Sequence, residues 1–278
     1  MSEIVPGTLY VVATPIGHLG DLTLRAKAVL GGVDAVCAED TRTSGQLLAQ
    51  FGLSRPMLAV HDHNEGDVAA GLVARLQAGQ ALALVSDAGT PLVSDPGYRL
   101  VRAARESGVP VVPVPGACAA IAALSVAGVP SDRFCFEGFL PAKAGARRER
   151  LAALSGEART MVFYESAHRI EDALADLVTV FGADREATLG RELTKRFETL
   201  LGPTLGAIAT AVAADPNQRR GEFVLVIRGN EDRGAAQLAE GRRLYAKLAE
   251  HLKPSQAAKL AAELSGAPRK ALYDGGAD

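Results

Sequence analysis

Two periodicities take turns along most of this chain. Residues 8–14 form a continuous apolar run rich in β-branched side chains, and residues 22–30 carry apolar side chains at helical spacing before Gly31 and Gly32. The exchange then repeats. Strand-like runs at 33–38, 57–60, 81–86 and 109–114 are separated by helical stretches at 46–51, 67–77 and 99–106, with Gly79 and Gly108 closing the last two. Continuous apolar strands joined by amphipathic crossovers predict a mostly parallel sheet with helices on both faces.

The pattern pauses near Pro113 to Gly116, and a helix of small residues is predicted from Ala117 to Val126. Strand-like runs return at 134–139, 160–164, 187–193 and 223–227, with helices between them at 147–154, 169–181 and 205–213. A second α/β region follows from this, with more antiparallel pairing. Beyond Asn230 the strands stop. Leu244, Leu248 and Leu252 form a stripe on one helix that ends before Pro254; Ser255 is suited to cap the next helix, Gly266 to end it, and Pro268 to the first turn of a last one. The predicted domains are residues 1–116 (α/β), 117–230 (α/β) and 231–278 (a helical tail).

Length agrees with this division, since 278 residues suit two α/β domains. Apolar residues make up 48% of the chain but aromatics only 5%, with no Trp, so the cores must be built from Ala, Val and Leu. No apolar run approaches the ~20 residues of a membrane span, and residues 1–7 lack the basic start and apolar stretch of a signal peptide. The three cysteines, Cys37, Cys118 and Cys135, are scattered in apolar segments and read as reduced thiols. These features predict a cytoplasmic protein with no membrane association.

In parallel α/β sheets, chemistry gathers in loops beyond the carboxyl ends of strands. Three such loops are too rich in Gly and Pro for simple connectors: Pro15-Ile-Gly-His-Leu-Gly-Asp21, Asp87-Ala-Gly-Thr-Pro-Leu-Val-Ser-Asp-Pro-Gly97 and Pro115-Gly-Ala-Cys118. Glycine lets a ligand approach the backbone, and proline keeps a loop pre-shaped. One loop of this kind reads as a tight turn; three at strand ends read as a ligand site. The glycine pattern of a dinucleotide-binding turn and that of a P-loop are both absent. His61 and His63 flank Asp62, a weak metal site at most, and no metal is expected.

Glu39, Asp40 and Arg42 follow the second strand, where they read either as a helix start capped by Thr43 or Ser44 or as groups facing a substrate. Net charge is −2, but the charge is uneven. Lys143, Arg147, Arg148 and Arg150 fall within eight residues, and between Arg242 and Tyr273 seven Lys/Arg stand against two Glu. Basic patches of this kind are either solubilising surface or phosphate-binding surface.

The loops carry a resemblance. Ala13-Thr-Pro-Ile-Gly17 with Gly20-Asp-Leu-Thr-Leu-Arg25, Ala38-Glu-Asp-Thr-Arg-Thr-Ser44, His63-Asn-Glu65, Ser86-Asp-Ala-Gly-Thr-Pro91 with Ser94-Asp-Pro-Gly97, and Pro115-Gly-Ala117 resemble the tetrapyrrole-methylase superfamily. With Gly138-Phe-Leu-Pro141, Tyr164-Glu-Ser166, His168-Arg169, Arg191-Glu-Leu-Thr-Lys195 and Gly221-Glu-Phe-Val-Leu225, the likeness is greatest to its bacterial branch that methylates the 2′-hydroxyl of a cytidine in 16S ribosomal RNA. It runs in order from Gly7 to about Gly229, and more weakly into the helical tail. His18, Cys118 and Ala167 depart from the Asn, Ser and Pro usual there.

The resemblance implies two α/β domains with S-adenosylmethionine in the cleft between them, plus a small helical tail that binds RNA. Pro15, Asp87, Gly89, Thr90, Ala117 and Cys118 would line the cofactor on the first-domain side, with Tyr164, Glu165 and Leu193 on the second. Glu165, Lys195 and Arg42 would serve catalysis, as proton acceptor, donor or base, and holder of a flanking phosphate. The partners implied are 16S ribosomal RNA or the small ribosomal subunit and a second copy of the chain. Two other readings stay open: methylation of a tetrapyrrole precursor on the same fold, and a non-catalytic RNA-binding factor of ribosome assembly.

Overall fold

The computed structural model describes residues 4–61, 63–230 and 233–273. The chain forms two compact units: one runs to Ala122 and also takes in Glu192–Glu198, and the other comprises Ala123–Arg191 and the chain from Thr199 onward.

The first unit holds strands β1 (Leu9–Val12), β2 (Ala35–Ala38), β3 (Met57–Ala59), β4 (Leu82–Val85) and β5 (Val111–Val114) in the order β3-β2-β4-β1-β5, all parallel. Helices α1 (Leu24–Gly32), α2 (Thr41–Gln50), α3 (Glu65–Gln77) and α4 (Tyr98–Glu106) are the crossovers. Parallel strands covered on both faces need apolar side chains on both, and β2 and β4 are buried at every position. Tyr10, Val12, Val36 and Val85 pack with Val29 and Leu30 of α1 on one face; Leu9, Cys37 and Leu84 pack with Leu72 and Leu76 of α3 and Leu100 of α4 on the other. Burial pushes the Cys37 thiol up to about 12.

Helix α5 (Ala119–Val126) crosses from one unit into the next. The second sheet contains β6 (Phe134–Phe139), β7 (Thr160–Ser166), β8 (Ala187–Arg191), β9 (Thr199–Leu201) and β10 (Glu222–Ile227), ordered β6-β7-β10-β8-β9. Only the β6–β7 pair is parallel; β10 pairs antiparallel with β7 and β8, and β8 with β9. Helices α6 (Ala144–Leu154), α7 (Ile170–Phe181) and α8 (Leu205–Ala214) share one core with Met161, Phe163, Leu189 and Leu225.

The tail contains α9 (Arg233–Ala249), α10 (Pro254–Ser265) and α11 (Arg269–Tyr273) around Ala261, Ala267 and Leu272. Gly241 is required by close approach, since a Cβ there would lie within 2.9 Å of Leu272, Ser265 and Ala267. Two expectations are corrected. Pro254 occupies the first turn of α10 and Lys253 its cap position, so Ser255 lies inside the helix. Leu252 falls beyond the end of α9, leaving Leu244 and Leu248 to pack in the core. Gly266 ends α10 with φ +74, the left-handed conformation expected of a terminating glycine. Among the described residues no helix is long and apolar enough to cross a membrane.

Candidate active site

Strands β4, β1 and β5 are neighbours, so the loops that leave their carboxyl ends emerge side by side. Thr14 and Gly89 exchange both backbone hydrogen bonds, at 2.8 and 3.1 Å. Thr90 Oγ1 donates to the Ala117 carbonyl at 2.9 Å, and Ala13 N to the Val114 carbonyl at 3.1 Å. The three glycine- and proline-rich loops are thereby tied into one surface. Gly89 is buried with φ +82, and a Cβ on it would press on Ile16 at 3.2 Å. The positive φ by itself favours glycine there, and the missing side chain also leaves room for Ile16 of the first loop.

The loop after β2 joins the same edge. Asp87 is exposed, and its Oδ1 accepts the Asp40 amide at 3.1 Å. Asp40, not Thr43 or Ser44, caps α2: its carboxylate accepts the Arg42 amide at 2.8 Å, and Ser44 is buried within the helix. The Arg42 guanidinium also forks onto Asp40, at 3.1 and 2.7 Å, and these hydrogen bonds hold the Asp40 carboxyl well below the usual carboxylate range. Arg42 is otherwise exposed. Glu65, from the His63-Asn-Glu65 segment, is buried and accepts the Leu100 amide at 2.9 Å, so it caps α4, the helix that follows the second loop.

The segment Glu192–Glu198 packs against the first loop of the same unit. Thr194 Oγ1 accepts the His18 amide at 3.1 Å, and a Cβ on Gly17 would collide with the Lys195 side chain. Lys195 Nζ is 2.9 Å from Glu192 Oε1. Leu193, expected on the second-domain side, is buried in this segment and belongs to the first unit. Among the described residues, the non-glycine residues with positive φ are Leu92 (72°), Ser94 (65°), Glu192 (50°) and Thr194 (64°). Two lie in the second loop and two in this segment. Such strain persists where the surroundings over-determine it, and it collects at functional sites.

His18 Nδ1 accepts the Gly20 amide at 3.1 Å and so caps the short turn that follows it. Pro15 is buried, while Ala117 and Cys118 are half-buried where the third loop enters α5.

Tyr164 and Glu165 sit on β7 in the second unit. Tyr164 is half-buried. The Glu165 side chain is fully buried: Oε1 accepts the Ser166 amide at 2.8 Å and pairs with Arg169 at 2.7 Å, while Oε2 has no hydrogen-bond partner. The arginines of the basic cluster have acidic partners in their own unit. Arg147 is buried and paired with Asp176 at 2.7 Å, Arg148 lies 3.8 Å from the same carboxylate, and Arg150 is paired with Glu137. In the tail, Arg243 pairs with Glu240 at 2.7 Å. Asp62 lies outside the described residues; among those described, no group of three or more His, Cys, Asp or Glu could hold a metal ion.

Comparison with known proteins adds to this geometry. Residues 8–209 match the family model described as Tetrapyrrole (Corrin/Porphyrin) Methylases, and residues 235–275 match that of the RsmI C-terminal HTH domain. The chain is 62% identical over 270 residues to the ribosomal RNA small subunit methyltransferase I of Xylella fastidiosa (strain Temecula1 / ATCC 700964), covering 97% of this chain and 99% of that protein. It is 53% identical over 267 residues to the protein of the same name from Escherichia coli O157:H7, covering 96% and 93%. Among solved structures, a uroporphyrin-III-C-methyltransferase from Thermus thermophilus matches with a TM-score of 0.55 at 22% identity, over 80% of this chain and 94% of that one. The methyltransferase CobJ matches with a TM-score of 0.58 at 21% identity, over 81% and 95%. At such identities the structural likeness speaks to the fold alone.

Proposed function

The chain belongs to the tetrapyrrole (corrin/porphyrin) methylase family, and from that membership we propose that it transfers a methyl group from S-adenosylmethionine to the RNA of the small ribosomal subunit, at the 2′-hydroxyl of a cytidine ribose. The observation that carries this reading is likeness along nearly the whole chain: the two relatives named for small-subunit ribosomal RNA methylation match 97% and 96% of it, and the helical tail matches a helix-turn-helix model of its own. The finer assignment to a cytidine 2′-oxygen rests on the loop segments from Ala13 to Lys195. The same reading makes the protein cytoplasmic and a homodimer.

The joined loops suit the cofactor chemically. Asp87 offers an exposed carboxylate with one oxygen anchored, and the loops tied to its own carry apolar Pro15, Ile16, Ala117 and Cys118. That set fits a ligand with hydroxyl or ammonium groups at one end and a flat apolar ring at the other. Pro15, Asp87, Gly89, Thr90, Ala117, Cys118 and Leu193 would hold S-adenosylmethionine. When bound, the cofactor supplies a strongly electrophilic methyl carbon on a sulfonium.

A ribose hydroxyl is a very weak acid, so the main demand on the protein is an aligned approach of its oxygen. Lys195, held by Glu192, is a hydrogen-bond donor that lowers the cost of building negative charge on that oxygen as its proton passes to water. Arg42 would take a flanking phosphate by sharing its guanidinium with Asp40. Glu165, expected as proton acceptor, is fully buried and paired with Arg169, which suits it to positioning Arg169 rather than to taking the proton.

Incubation with methyl-labelled cofactor tests the substrate class, offering undermethylated small subunits in one arm and a tetrapyrrole precursor in the other. Label in the RNA alone is expected. Label in the precursor alone would overturn the reading, and tight cofactor binding with transfer to neither would favour a non-catalytic RNA-binding factor.

A further inference from the structure

Strand β6 has a register shift between Phe136 and Gly138, where Gly138 takes φ +65. Side chains alternate along a strand, so Phe136 and Phe139 would ordinarily face opposite ways; the inserted residue brings both to one face. There Tyr164 of the neighbouring strand meets Phe136 edge-on at 4.9 Å and 69°, and Phe139 at 5.7 Å and 66°. Packing thus holds these rings in place, yet Phe139 stays 52% exposed. An exposed phenylalanine at the end of a bulge that turns it outward is a poor arrangement for a core and a good one for a flat ligand.

Arg169 completes the arrangement. Its guanidinium carbon lies 6.0 Å from the Phe139 ring centroid, and its nitrogens donate to the Leu140 carbonyl at 3.0 Å, to Ser166 Oγ at 3.3 Å and to Glu165 at 2.7 Å. A guanidinium pinned at its edge in this way offers a ligand its plane. Aromatic rings beside an arginine plane are what stacks unpaired bases of single-stranded RNA, because every base has a π-face.

We propose that Phe139, backed by Tyr164 and Arg169, is a stacking platform for an unpaired nucleobase of the RNA substrate. The proposal deepens the reading of the protein as an RNA methyltransferase and rests on it. A purine ring could come from the cofactor instead, so the test must separate the two sources.

The chain contains no tryptophan, so Phe139→Trp installs a single indole reporter. Stacking predicts that its fluorescence is quenched by undermethylated small subunits and left unchanged by S-adenosylhomocysteine. In parallel, Phe139→Ala should weaken binding to those subunits about tenfold, in keeping with the worth of one stacked base. Phe139→Tyr should retain the affinity, and the salt dependence of binding should not change, since no phosphate contact is removed. Wild-type affinity in Phe139→Ala, or quenching by S-adenosylhomocysteine alone, would overturn the platform while leaving RNA methylation intact. Failure of the wild-type protein to bind or methylate the subunits would overturn the functional reading itself, and the platform with it.

Discussion

Asp87→Asn separates the shape of the site from its charge. The asparagine oxygen can still accept the Asp40 amide that Asp87 accepts at 3.1 Å, but the exposed carboxylate charge is gone. A hydrogen bond to a charged group contributes roughly 1.5–3 kcal/mol, so the dissociation constant for S-adenosylmethionine, measured by calorimetry, should rise at least about tenfold with the melting temperature unchanged. Unaltered affinity would remove Asp87 from the cofactor site. Lys195→Met keeps the alkyl stem beside Gly17 and deletes only the ammonium. Its single-turnover methyl-transfer rate should fall about 10²-fold, with cofactor and RNA affinity within about twofold of wild type; a wild-type rate would leave positioning as the whole mechanism. Composition made the loop residues legible because Gly, Pro and Asp in that density suit few other roles. Charge alone did not disclose that Glu165 is buried against Arg169, nor that Leu92, Ser94, Glu192 and Thr194 adopt positive φ, since leucine and threonine carry no signal for that conformation.

Elements were readable where a period ran long enough. The buried parallel strands and the helices that cross between them stand close to where periodicity puts them, except that α2 begins at Thr41, well before the predicted start at residue 46. Strand β9 escaped because three residues, Thr199–Leu201, hold too little pattern to stand out after Lys195 and Arg196. The run predicted to reach residue 193 stops at Arg191, because Glu192 at φ +50 cannot continue an extended strand. In helix α6 charge alone did not disclose that Arg147 is buried against Asp176, while Arg148 and Arg150 stay half-exposed beside acids of their own unit. Replacing buried Arg147 by Met would leave the Asp176 carboxylate only the more distant Arg148, at 3.8 Å, and losing one member of a buried pair costs up to about 3–5 kcal/mol. Urea denaturation of Arg147→Met should show a loss of that order while RNA binding keeps its salt slope; a stable variant with a shallower slope would restore Arg147 to the RNA surface.

The division into two α/β regions and a helical tail was visible in the alternation of periods and in its end at Asn230. What alternation could not reveal is that Glu192–Glu198, deep in the second region of the sequence, belongs to the first unit, since periodicity reports local structure and not which core a loop joins. The tail has a small core of its own, with Leu244 and Leu248 around Ala261 and Leu272, and it leaves Arg242, Lys247, Lys253 and Lys270 on its surface. Each phosphate neutralised by such a cation steepens the slope of log affinity against log salt by about 0.9 on duplex nucleic acid and about 0.7 on single strands. Removing residues 231–278 should therefore weaken binding to small subunits and flatten that slope by at least about 1, with cofactor affinity retained; an unchanged slope would take RNA binding away from the tail. The central claim, methyl transfer to a ribose oxygen, is tested most directly by digesting RNA labelled by this protein to nucleosides and finding where the methyl group sits. All label in 2′-O-methylcytidine is the predicted result; label on a base, or in any other nucleoside, would contradict it.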